Sequence, residues 1–314
     1  MLRVLSLNLQ HGAIGEGAAQ ASALSHQALA GQDVAHPPTA QAALEALAEQ
    51  VSELTPDVLV LQEVDHHQHR SAGLDQTAVL ARLLDMRYHR FAAAWAGPVV
   101  GLRRRPHGSA LRDPSDEPLG PLRAAVGLPL QGFGNAIISR HPVEAWRVQR
   151  LERGAPSWTL RGPAWDPRSY RLWTASARVL LAATIRLGDG ADQKITVGAT
   201  HLATNTTTAR RQLADTWRAL VGLPGPHVLA GDMNLREHQV AALGLARLVG
   251  TGHTYPVGKP DHRIDHFLTD PWPTGPDGLP DPTGQDILRA VGWGTRSFVL
   301  SDHAGTWVDL EPLA

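Results

Sequence analysis

Apolar and polar positions along this chain switch repeatedly between the two-residue period of strands and the 3.6-residue period of helices. Leu2, Val4, Leu5, Leu7 and Leu9 form a run that stops at Gln10-His11-Gly12, which predicts a buried strand ending near Asn8. Leu44, Leu47, Val51 and Leu54 then recur at helical spacing behind a Thr39 cap, and Pro56 follows the predicted helix end. The next strand, Val58 to Leu61, runs directly into Gln62-Glu63. Asp75 to Leu84 is predicted helical and Tyr88 to Trp95 extended. Further strands are expected at Ala136 to Ser139, Ser176 to Leu187, Ile195 to His201, His227 to Ala230, Ile264 to Leu268 and Phe298 to Leu300, with helices at Thr206 to Leu220 and Gln239 to Val249. Two stretches lack a period. Residues 13–38 are rich in Ala, Gly, Ser and Pro, and residues 97–132 are broken by Pro98, Pro106, Pro114, Pro118, Pro121 and Pro129. Strand and helix alternate without an internal repeat, so the expected organisation is one α/β domain over residues 1–314 carrying a proline-rich insertion.

Composition narrows the class. The chain has 314 residues, 43% of them hydrophobic and 19% charged, which excludes wholesale disorder and a disulfide-stapled miniprotein. Its 29 basic and 30 acidic residues leave a formal charge of -1, so no global positive field draws it onto nucleic acid, and any polyanion must be met locally. Only Lys194 and Lys259 are lysines; arginine supplies the remaining positive charge. The absence of cysteine removes thiolate catalysis, iron–sulfur clusters and Cys-ligated zinc, so a metal must be held by oxygen or imidazole. No run of about 18 apolar residues occurs and the N-terminus enters a strand, so neither an integral membrane segment nor a signal peptide is expected, and the chain reads as cytoplasmic. No signal in the sequence bears on oligomeric state.

The candidate chemistry sits where predicted strands end: Asn8, Glu63, His201, Asp232 with Asn234, and Asp302 with His303, while Asp265 lies inside another strand. Carboxylates at the ends of buried strands are costly unless paired or metal-bound. Any one of these residues also has a plain reading as a turn or cap, but the recurrence weakens that alternative. The segments Val4-Leu5-Ser6-Leu7-Asn8, Leu61-Gln62-Glu63-Val64, Gly134-Asn135-Ala136-Ile137-Ile138-Ser139-Arg140, Thr200-His201-Leu202, Gly231-Asp232-Met233-Asn234, Arg263-Ile264-Asp265-His266 and Ser301-Asp302-His303 occur in this order over nearly the whole chain. Together they resemble the endonuclease/exonuclease/phosphatase superfamily, whose members include deoxyribonuclease I, exonuclease III, neutral sphingomyelinases and inositol-polyphosphate 5-phosphatases.

The resemblance implies a four-layer α/β/β/α sandwich, with two mixed sheets packed face to face, and a Mg²⁺-dependent hydrolysis of phosphate esters by in-line attack of water. Mn²⁺ is the alternative cation. Glu63 is implied as the main metal ligand, with Asn8 and Asp302 assisting; Asp232 orients or deprotonates the water, Asn234 and His201 donate to the phosphate, and Asp265 holds His303. Whether Asp232 or His303 is the base stays open. Met233 replaces the family's usual Phe, Ala304-Gly305 replaces a common proline neighbourhood, and no acidic partner for His201 appears around Phe133, Gly134 and Asn135. Asn135 reads first as a strand-end turn residue and second as a substrate contact.

Three further features carry a double reading. Arg103, Arg104 and Arg105 form a charge run in the insertion, read as a grip on anionic substrate or as solvated surface. His66-His67-Gln68-His69-Arg70 reads first as a solvated loop and second as a metal-binding run. Arg210-Arg211 either reaches the site or decorates a helix. Residues 13–38 and 97–132 border motif-bearing strands and are expected to form the rim that selects the leaving group. The preferred substrate is a small or lipid-derived phosphodiester or phosphomonoester; the alternatives are a DNA or RNA nuclease and a catalytically silent binding protein on the same fold.

Overall fold

The computed structural model describes residues 1–12, 39–108, 111–154, 157–160, 170–173, 177–188, 193–281 and 288–312. In chain order the first half comprises β1 (Leu2–Asn8), α1 (Ala40–Ser52), β2 (Val58–His66), α2 (Gln76–Leu83), β3 (Tyr88–Ala96), α3 (Gly120–Ala125), β4 (Gly132–Ser139) and β5 (Val143–Arg150). The hairpin strands β6 (Ser157–Leu160) and β7 (Tyr170–Trp173) follow, then β8 (Val179–Arg186), β9 (Lys194–His201), α4 (Thr206–Leu220), β10 (His227–Asp232) and α5 (Glu237–Ala241). The chain closes with β11 (Arg247–Val249), β12 (Asp265–Thr269), β13 (Leu288–Ser297) and β14 (Ala304–Pro312).

Two six-stranded sheets result. Sheet A runs β13-β14-β1-β2-β4-β3, and sheet B runs β11-β12-β10-β9-β8-β5. Each has one parallel pair at its centre, β1 with β2 and β9 with β10, and antiparallel neighbours elsewhere. The two-residue period sorts every central strand into an inner and an outer stripe. Val4 of β1, Val60 of β2 and Ile137 of β4 meet Leu181, Val197, Val228 and Phe267 of sheet B in the core between the sheets. The outer stripe of sheet A, including Leu5, Leu7, Leu59 and Leu61, packs against Leu44, Leu47 and Leu80 of α1 and α2. The outer stripe of sheet B, including Leu180, Leu229 and Leu268, packs against Leu213, Trp217 and Leu220 of α4 and Val240 of α5. Helix, sheet, sheet, helix is the expected four-layer sandwich, and each layer exists because a strand with two apolar faces needs cover on both.

Local signals explain most boundaries. Thr39 caps α1 through its side chain to the Ala42 N–H, Asp75 caps α2 at Ala78, and Asn205 caps α4 at Thr208. Four expectations change. Phe298 to Leu300 is not a strand: Phe298 and Leu300 are apolar because they pack onto α1 and the outer face of sheet A, Leu300 takes φ 63, and the paired segment is the preceding β13. The helix expected at Gln239 to Val249 ends at Ala241; Gly244 turns the chain at φ 59, and Arg247–Val249 instead pairs with β12. The edge strand β5 and the last strand β14 had no predicted counterpart; exposed Glu144 and Arg147, with Arg150, which donates to the Ala93 and Gly108 carbonyls, obscure the alternation of β5. The insertion is not wholly irregular, since it folds into a turn at Pro114–Asp116 and α3. The expected loop 13–38 lies outside the described residues.

Candidate active site

The inner stripes run out of apolar residues at one end of the sandwich, and polar side chains continue them. Ile195, Val197 and Ala199 of β9 lead to His201; Val228 and Ala230 of β10 lead to Asp232; Phe267 of β12 shares its face with Asp265. The strand register then aligns these ends, with Asp232 opposite His201 on one side and opposite Asp265 on the other. In sheet A, Val4 and Ser6 lead to Asn8, which is opposite Gln62 in the parallel pair. Alternation and register are therefore sufficient to bring four of these groups to one spot between the sheets.

Glu63 arrives there differently. The β2–β4 pairing slips between Leu61 and Val64, and Glu63 sits in that bulge with φ 54. A bulge re-aims a side chain that strict alternation would send outward. The Glu63 carboxylate faces His11 Nδ1 at 3.5 Å and His201 Nδ1 at 3.9 Å. Burial works to raise its pKa, but His11, His201 and Arg178 together outweigh it and hold the carboxyl at about 2.

Asp232 is buried beneath it. Its Oδ2 accepts from Asn8 Nδ2 at 3.2 Å and lies 3.4 Å from His201 Nε2 and 4.0 Å from His303 Nε2; its Oδ1 accepts the Asn234 N–H at 2.9 Å. Burial, followed by the like charge of Asp265, raises the Asp232 pKa despite His303, the Asn234 amide and Arg178. Gly231 makes this position possible: it has φ 141, and a Cβ there would stand 2.0 Å from the Thr200 carbonyl oxygen of the neighbouring strand. Asn234, at φ 50, turns its amide back to donate to the Leu202 carbonyl at 3.0 Å, and Met233 is buried in the outer core of sheet B.

His303 Nδ1 lies 2.8 Å from Asp265 Oδ2. Burial alone lowers the His303 pKa, but Asp265, Asp232 and Asp302 raise it to about 9. His201 goes the other way: desolvation and the positive charges of Arg178 and His303 push it well below 6.5, against the pull of Glu63. Two buried histidines in one site thus take opposite charge states. Asp302 is more open; burial raises its pKa, with Glu63 and Asp265 adding to the effect and His303 opposing it. The first and last motifs also meet in space, since Ser301 Oγ donates to the Asn8 carbonyl at 2.6 Å while accepting the His303 N–H of its own loop at 3.0 Å.

A cleft of about 440 Å³ opens over these groups, lined by Glu63, His201, Asp232, Asn234, Asp302 and His303. Its walls also include residues not singled out from the sequence. Arg178, buried immediately before β8, faces Asp232 and Glu63, and its Nε has no hydrogen-bond partner. The signal was present as an arginine opening the apolar run Val179 to Ile185, where a buried cation needs an anionic partner. Tyr255 lies against His303 with ring centroids 4.8 Å apart, and His262 meets Tyr255 edge-on at 5.5 Å. Both come from the 251–263 loop, which has no sequence signature beyond its turn residues.

Other expected contacts lie elsewhere. Asn135 is buried and donates to the Val179 carbonyl at 2.9 Å, so it ties sheet A to sheet B and does not line the cleft. Neither do Arg103, Arg104 and Arg105. Arg104 donates to the Asp116 carbonyl at 3.2 Å, Arg105 donates to the Leu151 carbonyl, and Arg103 lies over the Trp95 ring at 4.9 Å. A guanidinium seeks multiple acceptors, and in this fold backbone carbonyls of the insertion and its neighbour supply them. The described rim of the cleft comes from Thr204 and Thr206, from Arg236 and Gln239, and from the 251–263 loop, instead of from the insertion.

A model of the Endonuclease/Exonuclease/phosphatase family matches residues 5–303. No curated protein matches. Among solved structures, an endonuclease/exonuclease/phosphatase from Beutenbergia cavernae is 21% identical, with a TM-score of 0.54 over 99% of this chain and 71% of that one. A mannosyl-6-phosphatase from Bacteroides thetaiotaomicron is 15% identical, with a TM-score of 0.54 over 99% of this chain and 100% of that one. TDP2 from D. rerio, complexed with a single-strand DNA product, is 15% identical, with a TM-score of 0.50 over 99% of this chain and 98% of that one. At these identities the likeness is one of fold.

Proposed function

The chain belongs to the endonuclease/exonuclease/phosphatase family, and from the arrangement of its cleft we propose that it hydrolyses a phosphate ester with the help of a divalent cation. The observation that carries this reading is the row His201–Asp232–Asp265, aligned by register and faced across the sheets by Glu63 and Asn8. The donor set suits a hard cation. Glu63 stays ionised at any physiological pH, and Asp302 shares the cleft with it, its own pKa raised by burial and by the Glu63 charge. Glu63 and Asp302 would hold Mg²⁺ or Mn²⁺, with the Asn8 amide oxygen assisting. The Asn8 oxygen also accepts the Gln10 N–H at 2.9 Å, which keeps it pointed at this end of the sheet. When bound, the cation supplies charge stabilisation for the phosphoryl oxygens and the leaving group.

The chain's own groups divide the remaining work. Asp232, raised towards neutrality by burial, is matched to accept a proton from water, because a general base is most effective when its pKa lies near the working pH. His303, protonated up to about pH 9 and fixed by Asp265, is matched to donate. This pairing favours Asp232 over His303 as the base. Neutral His201 orients Asp232 through the 3.4 Å contact, and Arg178 places a desolvated guanidinium at the cleft wall beside the carboxylates, a position suited to charge pairing with a phosphate. The cleft volume and the near-neutral charge of the chain favour a small or lipid-derived ester over nucleic acid.

The test is a phosphoester screen with purified protein, covering a bis-aryl phosphodiester, an aryl monophosphate, inositol and sugar phosphates, sphingomyelin, and single-stranded and duplex DNA. Expected is Mg²⁺- or Mn²⁺-dependent turnover of a small ester that excess EDTA abolishes and that Asp232→Asn lowers without a comparable rise in KM. Full activity in EDTA overturns the reading. Turnover confined to DNA transfers the same chemistry to a nuclease.

A further inference from the structure

A second group of ligating side chains lies outside the cleft. β2 ends at His66, the chain turns, and Asp75 returns opposite His66 in an antiparallel bridge. One ligating atom from each of His66, His67 and Asp75 lies within 4.8 Å of the other two. None of the three has a part in the chemistry above.

Each side chain is already held. His67 sits at φ 52, a left-handed conformation that a non-glycine residue keeps only where its surroundings impose it. Its N–H donates to the Leu74 carbonyl at 2.9 Å, and its ring Nδ1 lies 2.7 Å from the Gly73 carbonyl. A carbonyl oxygen accepts only from a protonated ring nitrogen, so this contact fixes the tautomer and leaves the lone pair on Nε2, the anchoring by which ligating imidazoles are oriented. His66 stacks on Phe91 with centroids 5.0 Å apart and planes within 11°. Its Nδ1 is buried without a hydrogen-bond partner and stands 3.4 Å from Asp75 Oδ2. Asp75 is pinned through its other oxygen, Oδ1, which accepts the Ala78 N–H at 3.1 Å as the cap of α2.

We propose that His66, His67 and Asp75 form a binding site for a divalent transition metal of the Zn²⁺ class, separate from the cation of the cleft. Two imidazoles and one carboxylate, with water as fourth ligand, make the N/O donor set that such ions select over Mg²⁺. Bonds of about 2.0–2.2 Å place tetrahedral neighbours about 3.4 Å apart, which is the spacing His66 Nδ1 and Asp75 Oδ2 already have. The ion would close the 66–75 turn and tie the end of β2 to the start of α2. That turn supports the cleft from behind: Gln76, next to Asp75, accepts the Asp65 N–H at 2.7 Å and donates to the His11 carbonyl at 3.1 Å, and His11 faces Glu63.

The experiment uses Co²⁺ as probe, titrated into metal-free full-length protein with excess Mg²⁺ present, and follows the visible d–d bands of four-coordinate cobalt. Expected is one equivalent bound in the parent and in Glu63→Gln, with Zn²⁺ displacing it and raising the Tm of the parent. His67→Ala and Asp75→Asn are each expected to weaken Co²⁺ binding at least about tenfold, within the range typical of losing a ligand or its support, and to abolish the Zn²⁺ shift in Tm. Asn serves as well as Asp at a helix cap, so metal-free Asp75→Asn is expected to unfold close to the parent, whereas His67→Ala loses its hydrogen bond to the Gly73 carbonyl; each variant's own metal-free Tm is therefore the baseline for its Zn²⁺ shift. The proposal is overturned if the parent binds no Co²⁺ under excess Mg²⁺, if both variants bind it with the parent's affinity and spectrum, or if Glu63→Gln alone removes the bands, which would place the ion in the cleft.

Discussion

The two sheets deliver their functional side chains by opposite means. Sheet B is regular at its functional end: His201, Asp232 and Asp265 are direct register neighbours on one face, and each continues an apolar inner stripe. Sheet A reaches the same place through irregularity. Glu63 depends on a bulge and a positive φ, and its partner His11 lies in a turn where Gln10 and His11 both have positive φ. Proton-handling groups need fixed mutual distances, and a hydrogen-bonded ladder supplies them. A cation ligand must instead be turned off the ladder towards an open cleft, and a bulge does that at the cost of local strain.

Removing the regular side of this contrast should have the largest effect. Asp232→Asn is expected to lower kcat by about 10³-fold, within the range of a lost general base, with KM little changed, as steady-state kinetics on the preferred ester will show. If KM rises instead and kcat holds, Asp232 binds the ground state and the division of labour between the sheets is wrong. On the irregular side, Glu63→Gln keeps the bulge but removes the charge. Turnover should fall by about 100-fold at fixed Mg²⁺, and raising the cation concentration should recover part of it, whereas no Mg²⁺ concentration should rescue Asp232→Asn.

The pH profile sharpens the comparison further. Asp232 must be ionised to act as base, so activity should rise with pH through its raised pKa; His303 must be protonated to donate, so activity should fall as pH climbs through about 9. Glu63, held at about 2, adds no limb in this window. Asp265→Asn removes the largest influence raising His303, so the alkaline limb should move towards acid. The same pair couples to stability. The folded pKa of His303 lies above its ordinary 6.5, so its contribution is complete below that value and is lost as pH rises through about 9. Denaturant unfolding of the parent between about pH 6 and about pH 10 should show this loss, and Asp265→Asn should show less of it. An unchanged alkaline limb in Asp265→Asn would detach His303 from the reaction.

The smallest effect is expected outside both sheets' functional ends. Arg103→Ala loses a ring contact with Trp95 worth about 0.5–1 kcal/mol in stability and should leave kinetics on a small diester unchanged. A selective loss on polyanionic esters would return the insertion to the rim of the cleft.

Much of this protein was determined by the sequence itself. Two-residue alternation specifies which side chains of β1, β9 and β10 face inward, so Asn8, His201 and Asp232 are legible as polar ends of buried stripes before any tertiary contact is known. Caps at Thr39, Asp75 and Asn205 are equally local. The tertiary structure decided what depends on partners distant along the chain. The apolar Phe298 and Leu300 looked like a strand because burial against a helix and burial in a ladder demand the same residues. Arg103, Arg104 and Arg105 looked like a ligand grip because sequence shows the charge but not the carbonyls and the ring that occupy it. Arg178 showed no role until Glu63 and Asp232, more than fifty residues away on either side, were placed beside it. Local pattern encodes the face a residue occupies, because backbone geometry sets it; which groups share that face, and so their charge states, is set by long-range register and packing.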